Sequence, residues 1–577
     1  MNEKSVNLNV LWNRQLEESE DKLAIVYKDN KWTYKEIDVM SNAIRNYIWQ
    51  HSISPYIGVI MENSDSYVIT ILGVLKAGRV FVPIDKSYPD LRQKKIINQC
   101  EIDCIFVDEK NMGLEDCVAF EDALKCDVVQ FAYKSSFAGK FAYILHTSGS
   151  TGEPKGVLIR TESLVNLIQW FGKKFMKKNI RNVLQLARNS FDVSIEEIFG
   201  CLFYGRTLYI PSQTVKMHKK RLREYILKNE IQLVQVVPIL LQELFGEVEK
   251  LQCIQTLICG GEALSEPLKE LILKKGYELY NNYGPTEATV DCLSSKCKIN
   301  VPVNLGDEID NCEVYLLRKD GTVIRNSEEV GELAISGINL AECYIGDMER
   351  TKEKFTEIMG KRIYKTGDLV RRDNNNLLIY VGRNDNQVKV NGKRIELREI
   401  EQVFMRRFTI SLCSCIIGEH GEILLFYQTG NKISKKYASD ELKKVLPQYM
   451  IPADFIAVDK FPFTLNGKVD FNALISIRKQ MCVKREGEVI ECQIDSFTRK
   501  IIRIIANALE KEESEINIQN DLNEAGFDSF SYINVVIDVE EGYDVELEDE
   551  FMIPSEFVSI RDFIEKLRTF LKKEGKI

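Results

Sequence analysis

The sequence predicts an α/β protein built on mostly parallel sheets covered by helices on both faces, with a separate small helical unit at its C-terminal end. Three observations carry this. Short apolar runs such as Ile57–Met61 and Phe141–Leu145 alternate with helical patterns such as Ser41–Trp49 and Val68–Ala77, the order that lays strands side by side beneath crossover helices. A Gly/Ser/Thr-rich loop, Thr147–Gly156, lies between two apolar strands. Acidity is segregated as well: residues 496–577 hold 10 Lys and Arg against 19 Asp and Glu, so the net charge of −9 belongs wholly to that segment.

A chain of 577 residues is long enough for several domains. Its 45% hydrophobic and 28% charged content is that of an ordinary globular protein. Fifteen cysteines lie scattered without paired metal spacing, and four histidines make a metal cluster unexpected. Met1–Val10 is polar rather than a secretory leader, and no apolar run approaches the roughly 20 residues of a membrane span. Thiol-rich and leaderless, the chain is expected to be cytoplasmic, with no membrane partner. The acidic C-terminal segment argues against a nucleic-acid surface. Apolar residues recur there at helical spacing (Ile501, Ile504, Ile505, Ala508, Leu509), so it is expected to fold rather than trail as a solvated tail.

In chain order, residues 8–50 read as helix, hairpin and helix: Ala24–Tyr27, a turn at Asp29–Lys31, then Trp32–Tyr34. A strand at Ile57–Met61 and a buried helix at Val68–Ala77 follow, ending at Gly78. Next comes Leu75–Asp85, LKAGRVFVPID, and residues 64–90 as a whole are assigned packing rather than catalysis. The run Tyr143–Val157, YILHTSGSTGEPKGV, organises the rest. Thr147, Ser148, Gly149, Ser150, Thr151 and Gly152 offer backbone N–H groups and hydroxyls to one point, and Lys155 adds a cation, which is how a chain holds a polyphosphate. Pro154 before Lys155 distinguishes it from the G-x-x-x-x-G-K-[ST] loop.

TSGSTGEPKG resembles the phosphate loop of the adenylate-forming enzymes: acyl-CoA ligases, luciferases and the adenylation domains of nonribosomal peptide synthetases. LKAGRVFVPID resembles their second signature. The resemblance implies a large N-terminal core lobe over 1–384 and a small α+β mobile lobe over 385–478, hinged at Asp385. Residues 479–495, charged and poorly patterned, are a linker, and 496–577 form an all-α four-helix carrier domain.

Phe191-Asp192-Val193-Ser194 resembles the FDxS segment of peptide-synthetase adenylation domains, where the aspartate pairs with the α-ammonium of an amino acid; a helix cap is the structural alternative. Leu257–Ala263 reads as strand, glycine turn and helix start. By resemblance adenine packs on Gly260, Gly261 and Glu262. Tyr280–Thr289, YNNYGPTEAT, resembles the NxYGPTE segment. It implies contacts to the nucleotide from Asn282 and Gly284, stacking of Tyr283 on adenine, contact of Thr286 with phosphate, and a Mg²⁺ ligand in Glu287. Asp368, in Tyr364–Leu369, is implied to accept from both ribose hydroxyls, with Tyr380 and Arg383 flanking. Lys468, in Asn466–Asp470, is implied to neutralise charge at the α-phosphate when the mobile lobe closes. Catalysis would thus rest on Lys468, Glu287, Thr147 and Lys155. Asn339, Glu342, Cys343, Asn391 and Arg398 depart from the family pattern.

Asp521–Phe530 resembles the carrier attachment site G-x-D-S, in which Ser529 takes 4'-phosphopantetheine and opens a helix with Phe530, Ile533 and Ile537 on one stripe. The positions matching the family's substrate pocket are Asp192, Val193, Glu196, Gln235, Ile258, Gly260, Asn282, Val290, Asp291 and Lys468. Burying Glu196 and Asp291 without a cation is costly, which points to a basic or strongly hydrogen-bonding side chain.

The implied chemistry is adenylation of an amino acid by ATP, then transfer to the thiol on Ser529. No condensation, thioesterase or reductase segment fits, so the expected partners are a phosphopantetheinyl transferase and a downstream condensation, reductase or other carrier-recognising enzyme. Two alternatives remain: an acyl- or aryl-acid ligase loading its own carrier, and an inactive scaffold of the same fold.

Overall fold

The computed structural model describes residues 7–108, 116–125, 137, 139–148, 154–384, 387–390, 393–418, 421–428, 433–458, 460–462, 469, 471, 473–478, 495–509, 511–520, 522, 525, 527, 529–543, 545, 547, 551, 557 and 559–577, with the backbone alone at 514, 529, 530, 533 and 541. Two compact units result: Met1–Ser212 with Arg223–Val469, and Gln213–Leu222 with Asp470–Ile577.

The first unit holds two large sheets. In the nine-stranded sheet the central strands Glu278–Tyr283, Thr256–Cys259, Leu233–Val236, Asn182–Leu184, Thr207–Ile210 and Leu23–Tyr27 run parallel, and antiparallel strands close both edges. The seven-stranded sheet is parallel through Val80–Pro83, Tyr56–Ile60, Ile105–Val107 and Cys117–Ala119. At its other side Phe141–Thr147 pairs antiparallel with Lys155–Arg160, so the phosphate-loop sequence links two strands of a hairpin. The predicted parallel character thus holds for the sheet interiors and the Cys117–Ala119 edge, while the other edges of the two sheets are antiparallel.

Local chemistry explains the helices that cover these sheets. Thr33 and Glu36 form a reciprocal capping box that starts the Tyr34–His51 helix. In the Asp65–Lys76 helix every residue but Ser66 is buried, because it lies under that helix; a Cβ on Gly73 would sit 2.5 Å from Ile44 Cβ. Its one lysine, Lys76, is fully buried and tied to Asp38 at 2.5 Å. This charge is structural, in keeping with the packing role read from residues 64–90.

A third, antiparallel sheet of Cys312–Leu317, Val330–Gly337, Lys361–Arg372, Phe355–Ile358 and Leu378–Arg383 carries Asp368 and Arg383 on adjacent strands. Beyond it lie a two-stranded hairpin, Gln387–Val390 with Lys393–Glu396, and a small three-stranded sheet with the Leu397–Phe408 and Lys435–Lys443 helices, around its own core of Ile400, Phe404, Leu425 and Leu442.

In the second unit the described residues form helices Ser496–Leu509, Ser529–Tyr543 and Ile560–Lys573 around one apolar core. The buried stripe of the middle helix is Tyr532, Val535, Val536 and Val539, with Ile537 also buried. Of the predicted stripe through Phe530, Ile533 and Ile537, the Ile537 side chain is described and buried, and those of Phe530 and Ile533 lie outside the described residues. Aromatic contacts among Tyr532, Phe557 and Phe563 draw the helix onto that face. No helix among the described residues is long and apolar enough to cross a membrane.

Candidate active site

The site forms where the two large sheets and the antiparallel sheet present their loops. Of the phosphate loop, Thr147, Ser148 and Lys155 are described; Gly149, Ser150, Thr151 and Gly152 lie outside the described residues. Thr147 closes one strand opposite Lys155, which opens the next. The Thr147 hydroxyl is buried without a hydrogen-bond partner. An orphaned donor beside a lysine suits an oxyanion. Lys155 is 5% exposed. Burial, with Arg394 and Arg350 nearby, pulls its pKa down to about 8 against the opposing pull of Glu287 and Glu396.

Glu287 sits in a single 3₁₀ turn, Thr286–Ala288, after the strand Glu278–Tyr283. A Cβ on Gly284 would lie 2.0 Å from the Val290 carbonyl, so the turn closes only with glycine. Glu287 is fully buried; its carboxylate accepts from Tyr344 Oη at 2.7 Å and from Arg394 Nη1 at 2.8 Å. Burial opposes ionisation, yet the Arg394 and Lys155 cations overcome it and hold the carboxyl down at about 2. Ser148 fixes Arg394: its hydroxyl donates to the Arg394 carbonyl at 2.9 Å and accepts from the Glu396 N–H at 3.0 Å. The hairpin therefore docks on the phosphate loop itself.

Asp368 is buried and accepts from Tyr283 Oη at 2.5 Å and Arg383 Nη1 at 2.6 Å. Lys389, an exposed residue of its strand, stands 5.9 Å from the centre of the Tyr283 ring, and the Asp368 and Asp192 charges act on it. Tyr380 is half exposed. Gly260 and Gly261 end the strand Thr256–Cys259, and Gly261 adopts φ +82°. The helix expected to start there begins instead at Glu266, because Ser265 supplies the cap and Pro267 occupies the first turn; Glu262 stays in the intervening loop.

Asp192 caps the Val193–Leu202 helix through the Val193 N–H and accepts from Thr286 Oγ1 at 2.5 Å, so the capping alternative is realised while its carboxylate still faces the site. Burial raises its pKa. Glu196, one turn on, accepts from Gln235 Nε2 at 2.5 Å. Asn282 Nδ2 donates to Asp291 Oδ2 at 2.5 Å and its carbonyl accepts from Ser294 Oγ. Gln235 and Ile258 are register partners on neighbouring strands, which sets them beside each other, and Val290 precedes Asp291 in a left-handed turn. Glu196 and Asp291 face each other closely enough to share a proton. Burial and the mutual charge hold Glu196 far above the carboxylate range; burial and Asp192 push Asp291 up to about 7. Glu196 Oε1 and Gln235 Oε1 are buried with no partner. Three acids and two orphaned acceptors converge here.

Lys468 and Asp385 lie outside the described residues, as do Asn391, Gly392, Gly526 and Asp528; Ser529 is the first residue of its helix. Sequence reasoning missed Arg394, Lys389, Glu396 and Tyr344, which complete the site from the hairpin and the 343–344 strand. Only the spacing of QVKV and KRIE around a two-residue break signalled a hairpin. Of the departures, Asn339 is buried and donates to the Ala288 carbonyl behind Glu287, Glu342 pairs with Arg160, and Arg398 is exposed.

Comparison with known proteins agrees with this geometry. Residues 12–345 match the family model "AMP-binding enzyme", and residues 499–567 match "Phosphopantetheine attachment site". Zwittermicin A synthase ZmaJ of Bacillus cereus is 32% identical over 82% of this chain and 95% of its own length. Bacitracin synthase 1 of Bacillus licheniformis is 32% identical over 94% of this chain, which spans only 10% of that protein. The solved structure of holo-PA1221, described as an NRPS protein containing adenylation and PCP domains bound to a vinylsulfonamide inhibitor, shares the fold with a TM-score of 0.79 at 23% identity, covering 97% of this chain and 96% of its own. The chain belongs to the AMP-binding enzymes, as an ATP-dependent, AMP-forming adenylation domain of the nonribosomal peptide synthetase kind joined to a phosphopantetheine carrier domain.

Proposed function

We propose that the chain activates an amino acid with a basic or strongly hydrogen-bonding side chain, such as ornithine, lysine, arginine or another diamino acid, and loads it onto its own carrier at Ser529. The observation that carries this reading is the pocket of the half-buried Asp192 and the buried Glu196 and Asp291, with unsatisfied oxygens on Glu196 and Gln235. A cation there relieves repulsion that no apolar ligand relieves. Asp192 would take the α-ammonium, and Glu196 with Asp291 the side-chain cation.

The substrate carboxylate is already ionised and attacks the α-phosphate of ATP, releasing pyrophosphate; positioning and charge neutralisation suffice. Thr147 and Lys155 would bind phosphate, and Asp368 the ribose. Glu287 would hold Mg²⁺, which offsets triphosphate charge, once Arg394 has withdrawn. Lys468 is assigned to the α-phosphate and substrate carboxylate. The phosphopantetheine thiol then attacks the acyl carbon and AMP leaves. A phosphopantetheinyl transferase would install the arm, and a condensation, reductase or other carrier-recognising enzyme would take the product. The free thiols among the described cysteines support a reducing, cytoplasmic setting.

The test is amino-acid-dependent pyrophosphate exchange across the proteinogenic set plus diamino acids. Best turnover with valine or phenylalanine would overturn the substrate reading; activity of Asp192→Ala with a deaminated acid would favour an acyl ligase.

A further inference from the structure

We infer that the buried ion pair Arg92–Glu399 is a positioning pair that registers the mobile-lobe hairpin over the phosphate loop for the thioester-forming half-reaction. This rests on the two-step reading given above.

Arg92 belongs to the Asp90–Gln99 helix and Glu399 to the Leu397–Phe408 helix, 307 residues apart. Arg92 Nη1 lies 2.8 Å from Glu399 Oε1, with the side chains 3% and 1% exposed. The Tyr88 ring lies 5.2 Å from the guanidinium. Two charges withdrawn from water are tolerated only when they meet; one without the other in the same place is strongly unfavourable. Such a pair adds little to stability but penalises every misregistered docking. When the lobes separate, both groups return to water, so the open state carries no penalty.

What the pair registers follows from chain continuity. Glu399 is three residues beyond Glu396, the end of the hairpin strand that carries Arg394. With the pair formed, Arg394 sits on Glu287 and Glu396 lies 3.6 Å from Lys155. These are the cationic and anionic groups assigned to the triphosphate and its metal. A triphosphate and the docked hairpin cannot both hold them, so this orientation belongs after pyrophosphate has left. Arg92 and Glu399 belong to helices outside the phosphate loop and outside the residues assigned to the amino-acid pocket.

The experiment uses the full-length phosphopantetheinylated chain with Arg92→Glu, Glu399→Arg and the reciprocal double substitution. Pyrophosphate exchange reads the first half-reaction, and intact-mass kinetics of carrier acylation read the second. Each single variant is expected to keep exchange within about threefold of wild type. Each should slow acylation by about 10-fold or more, because a lone buried charge opposes docking. The double variant should regain most of the acylation rate. Wild-type acylation in the single variants, parallel loss of exchange and acylation, or a double variant as slow as the singles would overturn the inference. A wild-type chain that exchanges pyrophosphate yet never acylates Ser529 would instead overturn the two-step reading, and this inference with it.

Discussion

On the proposed substrate reading, the Glu196–Asp291 carboxylate pair makes substrate affinity depend on pH in one direction. Asp291 titrates near 7 because burial and the neighbouring Asp192 disfavour its charge, while Asn282, Glu196 and Lys174 pull the other way. Below that pH the Glu196–Asp291 pair holds a proton that a substrate cation must displace. Each pH unit below the titration then costs up to about 1.4 kcal/mol of binding, a tenfold rise in KM, and the curve flattens above it. The amino-acid KM in pyrophosphate exchange, followed from pH 6 to 8.5 with a diamino acid, should fall as pH rises and then level. Asp291→Asn removes the titration and one negative charge. It should flatten the profile and weaken binding of the basic substrate by about 2–5 kcal/mol, the usual cost of removing one partner of a buried charge pair. The same pair affects stability. A carboxyl whose folded pKa is raised binds its proton more tightly when folded, so stability falls as pH climbs from the ordinary carboxylate range toward 7, and Asp291→Asn should be the more stable protein at pH 8 by thermal melt. A basic-substrate KM that rises with pH, or a profile unchanged by Asp291→Asn, would refute the reasoning.

Other expectations are narrower. Thr147→Val exchanges a buried, unpartnered hydroxyl for a methyl of similar shape, so the melting temperature should hold or rise, with a gain of up to about 1 kcal/mol, while the ATP KM increases in exchange assays. Asp368→Asn leaves Arg383 buried without its counter-charge and should lower stability by about 3–5 kcal/mol in denaturant titration, with a parallel rise in ATP KM. Arg394→Gln frees Glu287 from its strongest cationic partner; pyrophosphate exchange should persist while carrier acylation slows, read by intact mass.

Much of this site was legible because its residues sit in short, dense, chemically unusual runs. The order Thr147-Ser148-Gly149-Ser150-Thr151-Gly152 has no helical or strand periodicity to explain it, and Tyr283-Gly284-Pro285-Thr286-Glu287 packs a turn glycine, a proline and a carboxylate into five positions. The α/β class followed from the strand–helix alternation, but the antiparallel sheet edges did not, since residues such as Asp307 and Glu308 carry no apolar signature of a strand. Capping chemistry moved one boundary: Ser265 and Pro267 delay the helix that the glycine turn suggested.

What stayed hidden has one physical cause. Arg394 and Glu399 lie in a lysine- and arginine-rich stretch that reads as solvated surface, and their burial depends on partners far away in sequence. Arg394 meets Glu287 107 residues earlier, and Arg92 meets Glu399 307 residues later. A local pattern reports how a segment covers its own backbone; it holds no term for a charge whose counter-ion arrives from a distant element. Lys389 alternates with Val388 and Val390 as an exposed strand residue should, yet the Asp368 and Asp192 charges, far away in sequence, act on it. The residues proposed to bind the nucleotide sit in contiguous motifs, whereas Arg394 with Glu287 and Arg92 with Glu399 come from elements far apart in the chain, and only their three-dimensional meeting pairs them.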